Sequence, residues 1–178
     1  GGFGMLRRHS TPTVNFNRPW SDYKMGFGNM PIEYWLGLDN IHFLTQDYTY
    51  RLTTSVFLQN GTKLRSRQRD FQVGNESTLY KMTFTNSLTG ENDTLGDCME
   101  EMKNQPFSTY DNDNDNDANV NCAQEYHGGY WFDACSSCNP TGEMIRPASG
   151  YLLNQTSEVF WKKNLGDLAP YNLRQNLV

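Results

Sequence analysis

The chain has 178 residues, of which 37% are apolar and 13% aromatic, with ten Tyr, ten Phe and four Trp. That length suits one ordinary domain or two small lobes. The aromatic content excludes a disordered chain, and a mean hydropathy of −0.74 favours a loop-rich fold over a helical bundle. The net charge of −5 is uneven: residues 1–70 hold nine Lys/Arg against five Asp/Glu, and residues 71–178 hold six against fifteen. The acidic second half argues against nucleic acid as a partner. There is no apolar run long enough to span a bilayer, so no membrane insertion is expected. The opening Gly1-Gly2-Phe3-Gly4 shows no secretory leader and reads as the start of a processed product or a fragment.

In sequence order, residues 18–45 read as short helices. Pro19 suits a first helical turn. Ile32, Trp35 and Leu36 fall at helical spacing, as do Leu38 and Ile41, and Gly37 is expected to separate two helices. Over residues 48–84 the period changes to two. Leu52, Val56 and Leu58 share a parity, Asn60-Gly61 marks a hairpin turn, and a second strand is predicted over Leu79–Phe84 with Tyr80, Met82 and Phe84 on one face. Lys63, Arg65, Arg67 and Arg69 also alternate at strand period. They read as a solvated strand face, with contact to a heparin-like polyanion as the alternative. Residues 86–97 are turn-rich, and from residue 98 regular periodicity nearly vanishes. So long an irregular stretch needs another source of order, for which disulfides and a bound cation are the natural means.

Cys98, Cys122, Cys135 and Cys138 permit two disulfides in three pairings. Glycosylation sequons stand at Asn60, Asn75, Asn92 and Asn154. Together these features lean toward an oxidising, secretory compartment. Asp111, Asp113, Asp115 and Asp117 alternate with Asn112, Asn114 and Asn116. Carboxylates ~6 Å apart repel by about 0.7 kcal/mol per pair in water and more in a less polar site. A loop that converges them needs a cation. Ca²⁺, which takes carboxylate, amide and backbone oxygens, fits better than a transition metal, because no His or Cys interrupts the run. An EF-hand does not fit: its sixth position would be Asn116 where Gly is needed, and its twelfth Cys122 where Glu is needed. The other reading of the run is a solvated acidic loop. Catalysis is not expected. His9, His42 and His127 have no metal-ligand spacing, Ser136 and Ser137 lack an evident base, and Cys135-x-x-Cys138 lacks the context of a thioredoxin-like motif.

The run sits within FSTYDNDNDNDANVNCAQEYHGGYWFDACSSCNPTG, residues 107–142. With PWSDYKMGFGNMPIEYWLGLDNIHFLT (residues 19–45), RDFQVGNESTLYKMTF (residues 69–84) and LGD (residues 95–97), it resembles the signature of fibrinogen-related domains in order and spacing. The resemblance implies an α+β fold: a central antiparallel sheet with short helices and an irregular calcium-binding C-terminal lobe. Residues 1–17 would be the remnant of an N-terminal lobe, 18–97 the central lobe and 98–178 the calcium- and ligand-binding lobe, with the domain truncated at both ends. It implies Ca²⁺ held by the side chains of Asp113 and Asp115 and by carbonyls near Asp117 and Asn119. It also implies a Cys122–Cys135 disulfide and a cis peptide at Cys135–Ser136.

Cys98 and Cys138 lie outside the common family pattern; they either pair with each other or one bonds a partner protein. The implied ligand pocket, next to the calcium loop, is formed by Glu125, Tyr126, Cys135 and Ser136, with Phe160 and Tyr171. Ser136 stands where lectin-like members have His, and Pro140 and Thr141 replace the usual Leu and Asn of the closing motif. The implied function is a secreted, non-catalytic recognition module. Its ligand is a glycan or acetylated group, as in ficolins and tachylectins, or alternatively an extracellular protein, as in angiopoietin-like relatives. Such modules oligomerise through segments outside this chain.

Overall fold

The computed structural model describes residues 2–144, 156–165 and 172–178. In sequence order the elements are β1 (Phe3–Arg8), α1 (Trp20–Met25), β2 (Phe27–Asn29), β3 (Glu33–Trp35), α2 (Leu38–Thr45), β4 (Tyr50–Phe57), β5 (Lys63–Val73), β6 (Met82–Thr83), α3 (Cys122–Glu125), β7 (Cys138–Asn139), β8 (Phe160–Trp161), α4 (Lys162–Leu165) and β9 (Asn172–Leu177). A seven-stranded antiparallel sheet has the order β2-β3-β1-β9-β4-β5-β6, and β7 pairs with β8 in a separate ribbon. This is the expected α+β architecture.

The β4–β5 hairpin forms where the alternation places it. Leu52 and Val56 are fully buried, and the turn closes through the Leu58 amide on the Thr62 carbonyl at 2.9 Å, with Gly61 at φ 84°. In α2, Leu38 and Ile41 face the core. The stretch before it is not helical. Glu33–Trp35 is a strand, paired with β1 (Leu6 opposite Trp35) and with β2 (Phe27 opposite Trp35). The extended backbone lets Trp35 fill the core while the Glu33 carboxylate meets a buried arginine. Gly26 and Gly37 flank this ribbon at φ 93° and 102°. Their backbones touch so closely that a Cβ on Gly37 would lie 2.7 Å from the Met25 carbonyl oxygen.

The strand expected over Leu79–Phe84 shrinks to Met82–Thr83, because Leu79 and Tyr80 take φ of 54° and 50°. Leaving the extended conformation lets the Tyr80 hydroxyl donate to Asp39 Oδ1 at 2.5 Å while its carbonyl accepts from Trp131 Nε1 at 2.8 Å. Tyr80, Met82 and Phe84 are nonetheless all buried. β9 has no counterpart in the sequence reading. It lies between β1 and β4 and buries Leu173, Gln175 and Leu177. The Gln175 amide is satisfied inside the core: Tyr130 Oη donates to its Oε1 at 3.0 Å, and its Nε2 donates to Thr54 Oγ1 at 3.1 Å.

The core is aromatic. Tyr23, Trp35, Phe107 and Trp131 pack at centroid distances of 5.1–6.1 Å. The Tyr23 hydroxyl donates to the Phe16 carbonyl at 2.7 Å and accepts from the Gly129 amide at 2.9 Å. A Cβ on Gly129 would meet Tyr23, Phe107 and Thr109 at 2.9–3.0 Å, so only glycine lets this backbone approach the rings. Beside the cluster lies a buried ion pair. Arg8 Nε is 3.3 Å from Glu33 Oε1, and Arg8 Nη1 donates to the carbonyls of Pro140 and Gly142 at 3.2 and 2.6 Å. The guanidinium also lies 3.8 Å from the centre of the Phe16 ring. Glu33 Oε2 accepts from the amides of Thr13 and Val14 at 2.8 and 3.1 Å. Burial pulls the Arg8 guanidinium down to about 10, against the opposing pull of Glu33.

Removing one member of such a pair strands the other charge in the interior. Arg8→Ala should therefore lower unfolding stability by about 3–5 kcal/mol, read as a reduced urea midpoint at unchanged slope. Arg18→Ala removes the half-exposed pair with Asp22 and should cost only about 0.3–0.5 kcal/mol.

Candidate functional site

The aspartate run divides its work by parity. Two of the asparagines, Asn114 and Asn116, anchor the loop to the body. Asn114 Nδ2 donates to the Phe107 carbonyl at 2.8 Å and its amide to Ser108 Oγ at 3.0 Å. Asn116 Nδ2 donates to Asp133 Oδ1 at 2.7 Å, and its amide to the Asp133 carbonyl at 2.9 Å. Asp111 is also structural: its Oδ1 accepts from the Trp20 amide at 2.9 Å and from Thr109 Oγ1 at 2.7 Å. The remaining aspartates cap the winding of the loop. Asp113 Oδ1 accepts from the Asp115 amide at 3.4 Å, Asp115 Oδ1 from the Asp117 amide at 2.9 Å, and Asp117 Oδ1 from the Asn119 amide at 2.9 Å. Asp115 Oδ2 accepts from the Cys122 amide at 2.8 Å, which ties the loop to α3. Asn121 caps α3 by accepting from the Gln124 amide at 2.9 Å.

Two disulfides hold this lobe, Cys122–Cys135 and Cys98–Cys138, with Cα separations of 5.4 and 6.1 Å. In the chain-entropy picture loops of these sizes contribute roughly 3–4 kcal/mol each. The cis peptide is at Ala134–Cys135, one residue before the expected Cys135–Ser136. In that turn the Asp133 amide reaches the Cys135 carbonyl at 3.1 Å.

Of the expected pocket residues, Tyr126, Cys135, Ser136 and Phe160 come together. Tyr126 packs edge-on against Phe160 and Phe132, with centroids 5.5 and 5.2 Å away, and its hydroxyl donates to the Ser136 carbonyl at 2.8 Å. Phe160 is 1% exposed and Tyr126 8%. Burial raises the Tyr126 phenol above its usual range. Cys135 and Ser136 are half-buried, and Glu125 is exposed, accepting from Thr156 Oγ1 at 3.3 Å. Tyr171 and the sequon residue Asn154 lie outside the described residues. Asn60, Asn75 and Asn92 are exposed. His127 is near the surface, with Nδ1 2.9 Å from Glu143 Oε1. Three supporting residues carry no signal in the sequence: Asp133 and Gln105, which hold Asn116, and Glu101, which accepts from the Ser137 amide at 3.0 Å. Each acts across the loops from its partner, so no local spacing marks it.

The loop brings several carboxylates close together in sequence, and Asp115 is the one whose titration is displaced. Burial, with the neighbouring Asp113 adding to it, pushes the Asp115 carboxyl up to about 6, against the two backbone amides that favour its anion. One Asp117 oxygen and the sulfurs of Cys122 and Cys135 lie within 4.8 Å of one another, but both sulfurs belong to the disulfide and offer no thiolate.

A sequence profile described as "Fibrinogen beta and gamma chains, C-terminal globular domain" matches residues 1–171. Tenascin-R of Gallus gallus is 38% identical over 144 residues, covering 80% of this chain and 10% of that protein. Fibroleukin of Bos taurus is 38% identical over 148 residues, with coverages of 80% and 33%, and angiopoietin-4 of Bos taurus 39% over 143, with 80% and 28%. The chain thus spans between 10% and 33% of the length of these relatives. The fibrinogen-like globe domain of human ANGPTL2 superposes with a TM-score of 0.89 at 31% identity, covering 98% of this chain and 78% of that one. A lamprey fibrin D-dimer, complexed with the peptide Gly-His-Arg-Pro-amide, has the same fold, with a TM-score of 0.86 at 23% identity over 99% of this chain and 61% of that one.

With divalent cations chelated, the Asp115 carboxyl should titrate near pH 6, followed by the carbon shift of its carboxyl group. Its folded value lies above the ordinary 3.8. The stability it contributes is therefore complete below the unfolded value and is lost as pH rises through about 6. A midpoint at the ordinary aspartate value would remove the burial argument.

Proposed function

Because the protein belongs to the family of the C-terminal globular domain of fibrinogen beta and gamma chains, we propose that it is an extracellular, non-catalytic recognition module whose ligand is a protein, bound beside the aspartate loop. The observation that carries this reading is the packing of the described aromatic residues of the expected pocket. An acetyl group needs an open aromatic cup, and here Tyr126, Phe132 and Phe160 pack on one another while the Tyr126 hydroxyl is spent on the Ser136 carbonyl. What faces solvent is a rim of exposed Glu125, half-buried Ser136 and the Cys135 end of a disulfide. Such a rim suits the backbone and side-chain groups of a polypeptide. Ser136 in place of the His of lectin-like relatives points the same way, and a lamprey fibrin of this fold is complexed with a peptide. Two disulfides with no free cysteine suit the secretory route and an extracellular setting.

Calcium is proposed as the structural cation of the loop. The side chains of Asp113 and Asp115 would hold it, with carbonyls near Asp117 and Asn119, and the ion would supply charge neutralisation. Order then passes to the rim by bonds of the protein itself: Asp115 to the Cys122 amide, and Cys122 to Cys135.

Two measurements test the reading. At about a hundred times its dissociation constant, Ca²⁺ should add about 2.7 kcal/mol, a rise of roughly 5–10 °C in melting temperature over chelator. Asp113→Asn and Asp115→Asn should abolish the rise, and a melting temperature indifferent to chelator would remove calcium from the account. Folded, calcium-loaded protein should pass through an N-acetylated resin. Peptides selected on it from a displayed library should lose binding to Glu125→Lys. Retention on the resin with elution by free N-acetyl sugar would instead establish the glycan reading.

A further inference from the structure

We propose that the outer face of the central sheet is a second binding surface, for a linear sulfated polysaccharide. Lys63, Arg65 and Arg67 alternate along β5, and tertiary structure adds cations that no sequence pattern connects to them. Arg7 on β1 is directly opposite Arg174 on β9. Arg174 is opposite Ser55 on β4, and Ser55 is opposite Arg65 on β5. One row across four neighbouring strands therefore reads Arg7, Arg174, Ser55, Arg65, a span of about 14 Å at ~4.8 Å per strand. Lys63 and Arg67 flank Arg65 at about 7 Å on either side along β5. Arg8, Leu173 and Ser66, the next residues along β1, β9 and β5, are buried, whereas Arg7, Arg174 and Arg65 are half-buried, which sets these cations on the face away from the core, over a buried Ser55.

Little on this face neutralises them. Asp93 binds Arg67 with two hydrogen bonds of 2.7 Å. Among the described residues, no carboxylate pairs with Lys63, Arg7, Arg65 or Arg174. Like charges directly opposite one another weaken a strand pair. The Nε atom of Arg174 is shielded from solvent with no hydrogen-bond partner. Its guanidinium lies 5.2 Å from the centre of the Phe57 ring, which also carries Lys63 Nζ at 5.4 Å. An anion seated on the row relieves the arginine repulsion. The guanidinium fork matches a sulfate better than an ammonium does. A protein of net charge −5 that places five of its fifteen cations together on one face has the charge asymmetry of a polyanion binder. Sulfated polysaccharide is the polyanion of the oxidising compartment that the disulfides indicate. A membrane surface would call for apolar side chains raised above the cations, and Phe57 instead lies half-buried beneath Arg174 and Lys63.

The test is calorimetry of the calcium-loaded protein with a heparin-derived octasaccharide at low ionic strength. Saturable binding is expected, weakening steeply with added salt. Arg65→Gln/Arg174→Gln should weaken it about tenfold or more, with the melting temperature unchanged or raised by relief of repulsion. Lys81→Gln, away from the row, should leave it unchanged. If the Arg174 variant fails to fold, Lys63→Gln/Arg65→Gln on the hairpin strand gives the same reading. The proposal is overturned if the octasaccharide does not bind, if the row variants bind it as tightly, or if polyglutamate or phosphatidylserine vesicles compete equally at matched charge.

Discussion

The buried Arg8–Glu33 pair is the constraint on which the architecture turns. A charge taken out of water must be met on every side, and these two are met by residues from distant parts of the sequence. Arg8 reaches Glu33 on β3 and the carbonyls at 140 and 142, while Glu33 gathers the amides at 13 and 14. A single guanidinium thus joins the first strand to the irregular lobe, 134 positions away at Gly142. Its geometry leaves little freedom to its neighbours, because any displaced partner strands a charge. The strand conformation of residues 33–35 follows from it, as does the seat of Phe16 against the guanidinium.

Residues 98–144 have few repeating backbone bonds, and their order comes from specific attachments. Asparagines of the aspartate run point into the body and bond Phe107, Ser108 and Asp133, while the aspartates between them cap successive amides. Two disulfides fasten the ends. The Asp115 bond to the Cys122 amide and the Cys122–Cys135 disulfide connect the loop to the segment that carries Ser136.

The sheet has two opposed characters. Its inner face packs Leu52, Val56, Leu173 and Leu177 with the fully satisfied Gln175, whereas its outer face aligns arginines from three strands. β9 supplies both: its alternate residues are a core leucine–glutamine–leucine set and a polar set centred on Arg174.

Features written in neighbouring residues could be read before any folding was known. The Asn60-Gly61 hairpin, the inward Leu52 and Val56, the helical Leu38 and Ile41, the family and its α+β fold were all legible, because each rests on local periodicity, a turn with one favoured chemistry, or a long ordered motif. The remaining features depend on partners far apart in the sequence. Glu33–Trp35 reads as helix by spacing and is a strand because Glu33 must reach Arg8. β9 was invisible because NLRQNL is too polar to announce a central strand, and its glutamine is satisfied only by Thr54 and Tyr130, 121 and 45 positions away. The Cys98–Cys138 pairing and the supports supplied by Asp133 and Glu101 belong to the same class. Their free energy comes from desolvated contacts that exist only after the polypeptide has closed on itself, and such contacts leave no period in the sequence.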